Sequence, residues 1–331
     1  MKILITGATG LLGSHLAVKL LKSSHELFGA RREKSSLKLL NGLAVQNGVE
    51  VNRITWEIGD LTDPTYTDTV TQGMDIVIHT AAYVSFTNND YDLLIRNNAD
   101  ATANVANSCL RQGVQRLIHI SSIAALGDAP GREIDENTPR ATDAYVTTYG
   151  LSKYLAEMHV WRAFAEGLQG VILNPSLIIG QGNWTNDSSA LIGRIAKGLN
   201  FYPGGCTGMV DVNDVVTVIT TVLESTVNNE RYIVNGDNIC YKELFEKIAL
   251  NLGVKPPSIY ARPWMTSFAA RVEWVYGLLT GHEPIVSKDV AAASQRRARY
   301  SNYKAVKQLG VTFTKSDETL KRVCSEYLQS K

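Results

Sequence analysis

Tyr149 and Lys153 stand four residues apart in a stretch of helical periodicity, so both side chains leave one face of a helix and can meet around the same ligand. Their chemistry is complementary. An ammonium beside a phenol stabilises the phenolate and draws its pKa down from about 10 toward neutrality, which makes a usable proton donor or acceptor. Ser122 follows the apolar run Arg116-Leu117-Ile118-His119-Ile120 and Ser121, which places a hydroxyl at the mouth of a buried strand, suited to hydrogen-bonding a carbonyl or alkoxide oxygen. Tyr and Lys at this spacing recur in many helices, so the pair gains meaning from its order, after a strand-end serine and an anion-binding turn. Tyr145 is the rival phenol one turn earlier, but the residue four positions after it is Tyr149 rather than a lysine, so the proton is assigned to Tyr149.

The anion-binding turn is Thr6-Gly7-Ala8-Thr9-Gly10-Leu11-Leu12-Gly13, entered from Ile3-Leu4-Ile5 and left through the helical pattern His15 to Leu21. Gly7 permits the tight turn, Gly10 lets backbone approach a pyrophosphate, and Gly13 allows close packing of helix on strand. The N–H groups of Thr9, Gly10, Leu11 and Leu12 then face the anion. A dinucleotide is the ligand this geometry requires. The second strand, Glu26 to Ala30, is followed by Arg31, Arg32 and Lys34, where an acid would bind a ribose 2′-hydroxyl and an arginine a 2′-phosphate. NADP is therefore expected over NAD, although Glu33 shares the loop and keeps NAD open. Asp60 and Leu61, after a third strand, are expected to contact adenine, with a helix N-cap as the rival role for Asp60. Thr80, Ala81 and Ala82, after the strand Asp75 to His79, are small enough to let a cofactor lie against backbone, and His79 itself reads as a packed strand-end residue.

Strands near 51–58, 116–120 and 170–173 alternate with helical stretches at 91–112 and 149–166, which predicts an α/β fold: a Rossmann-type doubly wound parallel sheet covered on both faces. Residues 1–182 form the expected NAD(P)-binding domain, with returns to the sheet near 207–235, and 183–331 mainly a smaller C-terminal substrate-binding lobe. Trp184, Phe201 and Tyr202 are candidates for lining its pocket or filling its core.

The chain of 331 residues carries a formal charge of +1, which leaves no basic field for nucleic acid. Cys109, Cys206, Cys240 and Cys324 are far apart in sequence with no pair at metal-ligand spacing. They are expected to be free thiols in a reduced cytoplasmic protein without a metal site. The N-terminal apolar stretch runs straight into a strand, turn and helix and does not read as a signal peptide. The aromatic segment Pro263 to Gly281 carries Arg271 and Glu273 near its middle, which argues against a membrane span.

These motifs together resemble the extended short-chain dehydrogenases/reductases of the NAD-dependent epimerase/dehydratase family, and most of all its dihydroflavonol-reductase-like and 3β-hydroxysteroid-dehydrogenase-like members. Matching stretches are Thr6 to Gly13, Gly59-Asp60-Leu61, His79 to Ala82, Asn98 to Val105, Ser121-Ser122, Tyr149 to Lys153, Asn174-Pro175-Ser176 and Val210 to Asp214. The resemblance implies a Ser/Tyr/Lys site at Ser122, Tyr149 and Lys153, with Asn98 supporting the lysine through a water-linked network. It also implies cofactor contacts at Asn174, Pro175 and Ser176, a small-molecule substrate, and a homodimer through the long helices.

Departures narrow the chemistry. Ser122 is followed by Ile123-Ala124 where sugar-nucleotide dehydratases carry Asp-Glu, so dehydration is not expected. Thr207 stands where sugar-nucleotide epimerases commonly place a diphosphate-gripping Arg, for which Arg194, Arg231 or Arg262 could substitute. Gly180-Gln181-Gly182 replaces Gly-Pro-Gly, which predicts a looser loop. An NADP(H)-dependent carbonyl reductase or alcohol dehydrogenase is the leading expectation. An NAD-dependent sugar-nucleotide epimerase and a dinucleotide-binding sensor without catalysis are the alternatives.

Overall fold

The computed structural model describes residues 1–84, 90–140, 147–185, 187–262 and 293–331. Tyr145 and the segment from Pro263 to Gly281 lie outside them. The first half lays down β1 (Lys2–Thr6), β2 (Glu26–Arg31), β3 (Ile54–Ile58), β4 (Ile76–His79), β5 (Arg116–Ile120) and β6 (Gln169–Pro175). The second half adds β7 (Leu177–Ile179), β8 (Phe201–Tyr202), β9 (Cys206–Asp211), β10 (Glu230–Val234), β11 (Asp237–Cys240) and β12 (Ile259–Tyr260).

Seven strands pair in parallel in the order β10-β6-β5-β4-β1-β2-β3. The order reverses beside β1, and in such sheets ligands bind beyond the carboxyl ends of the strands at that reversal. Those ends carry Thr6, Arg31, His79, Ile120 and Pro175. The strands are continuous apolar runs because both faces are covered: β1 buries Ile3, Leu4 and Ile5, and all of β4 and β5 is buried.

Helices α1 (Leu11–Leu20), α2 (Lys38–Asn47), α3 (Pro64–Thr71), α4 (Tyr91–Leu94), α5 (Ala101–Arg111), α6 (Thr148–Ala165), α7 (Ala190–Ala196), α8 (Val212–Glu224) and α9 (Tyr241–Leu252) cover the sheets, with closing helices at Tyr303–Leu309 and Ser316–Gln329. One apolar layer joins α1, α2 and α8 to Ile3, Ile5, Ile78 and Ile118. The other joins α5 and α6 to Leu4, Val77, Leu117 and Ile172. The expected helix over 91–112 is interrupted: residues Ile95–Asp100 form a π-helical turn between α4 and α5, a widening that is common at functional sites.

A separate three-stranded sheet, β11-β9-β7, follows, and α7, α9 and the last helix pack an apolar cluster against it. The chain enters this sheet at β7 and goes back to the large sheet at β10, directly beside β6. Two expectations are corrected here. Cys206 and Cys240 are register partners on the antiparallel strands β9 and β11 and form a disulfide, with Cys109 and Cys324 the free, buried thiols. Their separation of 34 residues hid a contact that strand pairing creates. The Gly180-Gln181-Gly182 loop is also held firmly rather than loosely: Ser189 Oγ donates to Gly180 O at 2.8 Å, His15 Nε2 lies 2.9 Å from Gln181 O, and a Cβ at Gly180 would strike Val212. Among the described residues no helix is long and apolar enough to cross a membrane.

Candidate active site

At the nucleotide turn, Gly7 adopts φ +70°, a left-handed conformation that side chains disfavour, and a Cβ there would sit 2.7 Å from the Ala81 backbone. A Cβ at Gly13 would sit 2.1 Å from Gly7 O, so helix and strand approach only because both positions lack side chains. Gly10 is the N-cap of α1 and offers no side-chain cap, which leaves the first-turn N–H groups of a helix facing outward for an anion. Thr80 Oγ1 donates to Thr6 O at 2.7 Å and so ties β4 to the turn.

A cavity of about 220 Å³ opens beside the turn, lined by Gly7, Thr9, Gly10, Arg31, Arg32, Leu61, Thr80, Ala81 and Ala82. Its lining also includes Ala30, Ser35, Gly59, Tyr83, Asn97 and Ala101, which sequence reasoning missed; adjacency to Asn98 was the available signal for Asn97. Arg31 lies over the Trp56 ring, 5.7 Å from its centroid, and Arg32 donates to Asn97 Oδ1. Asp60 does not line the cavity. It lies 3.6 Å from Arg32 Nε and accepts from Thr62 N at 2.9 Å; burial opposes its ionisation, but the Thr62 hydrogen bonds and the Arg32 charge leave it below the usual carboxylate range. The N-cap of α3 is Asp63 instead, which accepts from Thr65 N at 2.8 Å. Leu12 and Gly13 are buried in α1, with Leu11 at its start. Bare helix-start amides, small residues and two guanidiniums fit a dinucleotide.

Ser122, Tyr149 and Lys153, the residues expected to act on a proton, gather at the ends of β5 and β6. Ser122 leaves β5 in extended conformation, and its Oγ accepts from Ala124 N at 3.1 Å, which caps the short turn Ile123–Ala125. Thr147 caps α6 through Gly150 N at 3.0 Å and starts the helix that carries Tyr149 and Lys153. Gly150 makes the approach possible, since a Cβ there would lie 2.6 Å from Ala124 O. Arg140 reinforces it by donating to Ala125 O at 2.8 Å while stacking 4.5 Å from the Tyr154 ring centroid. The Ser122 hydroxyl lies near enough to the Tyr149 phenol to favour its ionised form.

Lys153 is fully buried and donates to Ile120 O at 2.8 Å. Burial pulls its ammonium down to about 8, against the pull of Glu157. For Tyr149 the expected lowering is reversed: burial pushes the phenol up, and the Ser122 hydroxyl only partly offsets it. Asn98, in the π-helical turn, receives Tyr83 N at 2.7 Å and donates to Tyr83 O and Ser152 Oγ, both at 2.9 Å. It thus grips the residue preceding Lys153. His79 is packed as expected, 2.7 Å from Thr6 Oγ1 and 3.0 Å from Thr102 Oγ1. Burial pushes its pKa down to about 3.

Asn174, Pro175 and Ser176 close β6 beside β10 and do not line the cavity at the turn. Asn174 Nδ2 donates to Ser122 O at 2.8 Å and to Glu157 Oε1 at 2.6 Å, so its amide holds the Ser122 backbone against α6. Of the arginines considered for a diphosphate, Arg231 is spent on a salt bridge to fully buried Glu157. Arg194 and Arg262 are exposed, and Thr207 bonds Tyr241. Trp184 packs edge-on against Tyr327 at 5.2 Å within the lobe core, and Tyr202 pairs with Tyr260 at 6.0 Å. No group of side chains able to hold a metal occurs among the described residues.

Residues 3–235 match the family described as NAD dependent epimerase/dehydratase. Over 316 residues the chain is 26% identical to the putative dihydroflavonol 4-reductase of Synechocystis sp., covering 93% of this chain and 89% of that one. The crystal structure of gox2253 superposes with a TM-score of 0.81 at 29% identity, over 99% of this chain and 98% of that one. UDP-glucuronic acid 4-epimerase from Bacillus cereus, in complex with UDP-glucuronic acid and NAD, has a TM-score of 0.77 at 19% identity over 100% of both chains, a likeness of fold alone. The chain belongs to the NAD dependent epimerase/dehydratase family, as an enzyme of the extended short-chain dehydrogenase/reductase type that uses a nicotinamide dinucleotide.

Proposed function

We propose that this chain is an NADP(H)-dependent reductase of ketones or aldehydes, or in reverse an oxidant of secondary alcohols. The observation that carries this reading is the placement of Ser122 beside Tyr149 at the carboxyl end of β5, with buried Lys153 one helical turn away and held by Ile120 O. Bound at the turn and cavity, the reduced cofactor supplies the hydride. Ser122 orients the substrate oxygen, and Tyr149 delivers the proton that converts it to a hydroxyl. A phenol held above its ordinary pKa by burial is protonated at neutral pH and is therefore ready to act as an acid. Lys153, still largely charged below about pH 8, would hold the nicotinamide ribose and stabilise the phenolate left behind.

Arg31 and Arg32 at the end of β2 support NADP, because their guanidiniums flank the cavity where a 2′-phosphate would lie. The commitment of Arg231 to Glu157 supports reduction over nucleotide-sugar epimerisation, since it removes one of the substitute diphosphate ligands. A panel of aldehydes, ketones and nucleotide sugars, assayed with NADPH and NADH, tests the reading. Net NADPH oxidation with a carbonyl compound, abolished in Tyr149→Phe, is expected. Sugar interconversion without net change in nicotinamide absorbance would replace this reading with epimerisation.

A further inference from the structure

Glu157 lies one turn beyond Lys153 on α6, on the row that already holds Tyr149, and it is a carboxylate with no exposed surface. Isolated buried charges are costly, so such a group persists only where hydrogen bonds and a counter-ion meet it. Three do. Ser121 Oγ donates to Glu157 Oε1 from the end of β5, Asn174 Nδ2 donates to the same oxygen at 2.6 Å from β6, and Arg231 reaches Oε2 from β10. Two of these partners also bear on the serine of the site. Ser121 is its chain neighbour, and Asn174 Nδ2 holds the Ser122 carbonyl at 2.8 Å. The carbonyl that receives Lys153, Ile120 O, immediately precedes Ser121. One carboxylate therefore joins three neighbouring strands to the helix carrying Tyr149 and Lys153.

We propose that Glu157 and Arg231 act as one positioning unit beneath the proton-transfer site, with Glu157 fixing Ser122 against Tyr149 and the balance of the two charges keeping Lys153 an ammonium. The proposal rests on the reductase reading for what Ser122 and Tyr149 do, but the charge relation to Lys153 stands apart from it. Among the described residues the other titratable neighbours of Lys153 are His79 on β4 and His119 on β5, both held neutral by burial, and Tyr149 on its own helix. Of the described residues, Glu157 opposes loss of the Lys153 proton, and Arg231, stacked 5.6 Å from the Trp161 ring centroid, stands behind it.

The test is the pH dependence of NADPH affinity, read by nicotinamide fluorescence between pH 6 and 10 without substrate, in wild type, Glu157→Gln, Arg231→Met, Arg231→Lys and the double variant Glu157→Gln/Arg231→Met. Wild-type affinity should fall as Lys153 loses its proton near pH 8. Glu157→Gln strands the Arg231 cation, and the midpoint should move down by about one pH unit. Arg231→Met strands the carboxylate and should move it up by a smaller amount, while Arg231→Lys should fall near wild type and the double variant between Glu157→Gln and wild type. If circular dichroism shows Glu157→Gln unfolded, the upward shift in Arg231→Met and its absence in Arg231→Lys carry the test. Coincident midpoints, shifts of one sign in both single variants, or a wild-type affinity flat across the range would overturn the proposal. Carbonyl turnover measured in parallel separates the two readings. Opposed shifts without any turnover would keep the positioning unit and remove the reductase, whereas Tyr149-dependent turnover with coincident midpoints would do the reverse.

Discussion

The two ends of the crevice are constructed on opposite principles. At the nucleotide turn the working surface is backbone, made accessible by the absence of side chains at Gly7, Gly10 and Gly13, with the charged groups exposed at Arg32 and Asp60. Around Lys153 the working surface is side chain, sealed from water and fixed by hydrogen bonds among Ser121, Asn174, Glu157 and Arg231. The first region tolerates chemistry but not volume. In the second, volume can be kept while a single proton or charge changes the outcome, because a low-dielectric site magnifies each unpaired group.

The largest break in that comparison is expected from Tyr149→Phe, which removes one oxygen and should lower carbonyl turnover by about 10²–10⁴-fold with NADPH affinity unchanged, as read by steady-state kinetics and fluorescence. Equal loss of both would place Tyr149 in cofactor binding rather than proton transfer. Next, replacing Arg31 and Arg32 together with alanine should weaken NADPH about 10–100-fold and leave NADH nearly untouched, the cost of charge-assisted hydrogen bonds to one phosphate. Isothermal titration with both cofactors decides it, and equal weakening would argue against a 2′-phosphate site. Gly13→Ala tests the intolerance of volume: its methyl would overlap Gly7 O, and a loss of about 1–3 kcal/mol in unfolding free energy is expected from denaturant titration.

The smallest effect should come from His119→Phe, which removes a fully buried imidazole whose two nitrogens meet no hydrogen-bond partner among the described residues and which stacks 5.3 Å from His79. Burial depresses the folded pKa of His119, so below pH 6.5 the unfolded chain binds the extra proton and stability is lost as pH falls. The variant should hold its melting temperature better than wild type between pH 6.5 and 4, while the two match near pH 8.

Much of the first region was legible in the sequence because its determinants are contiguous. Three glycines, a strand before them and a helix after them specify a turn locally, and Arg31 ends β2 with Arg32 directly after it. Tyr149 and Lys153 were legible for the same reason, as neighbours on one helical face. The support beneath them was not: Glu157 and Arg231 are 74 residues apart, and Arg231 read as a possible phosphate ligand until β10 was seen paired with β6. The disulfide was hidden likewise, since Cys206 and Cys240 meet only through the register of β9 and β11.

By itself the sequence determined the alternation of strand and helix, the anion-binding turn and the spacing of the tyrosine and lysine, because each depends on residues within a few positions of one another. Tertiary structure alone decided which way the lysine points, that the phenol is held protonated by burial, and which charges share the dry space beneath them. Those outcomes depend on desolvation and on contacts between distant strands, and both exist only once the sheet has closed.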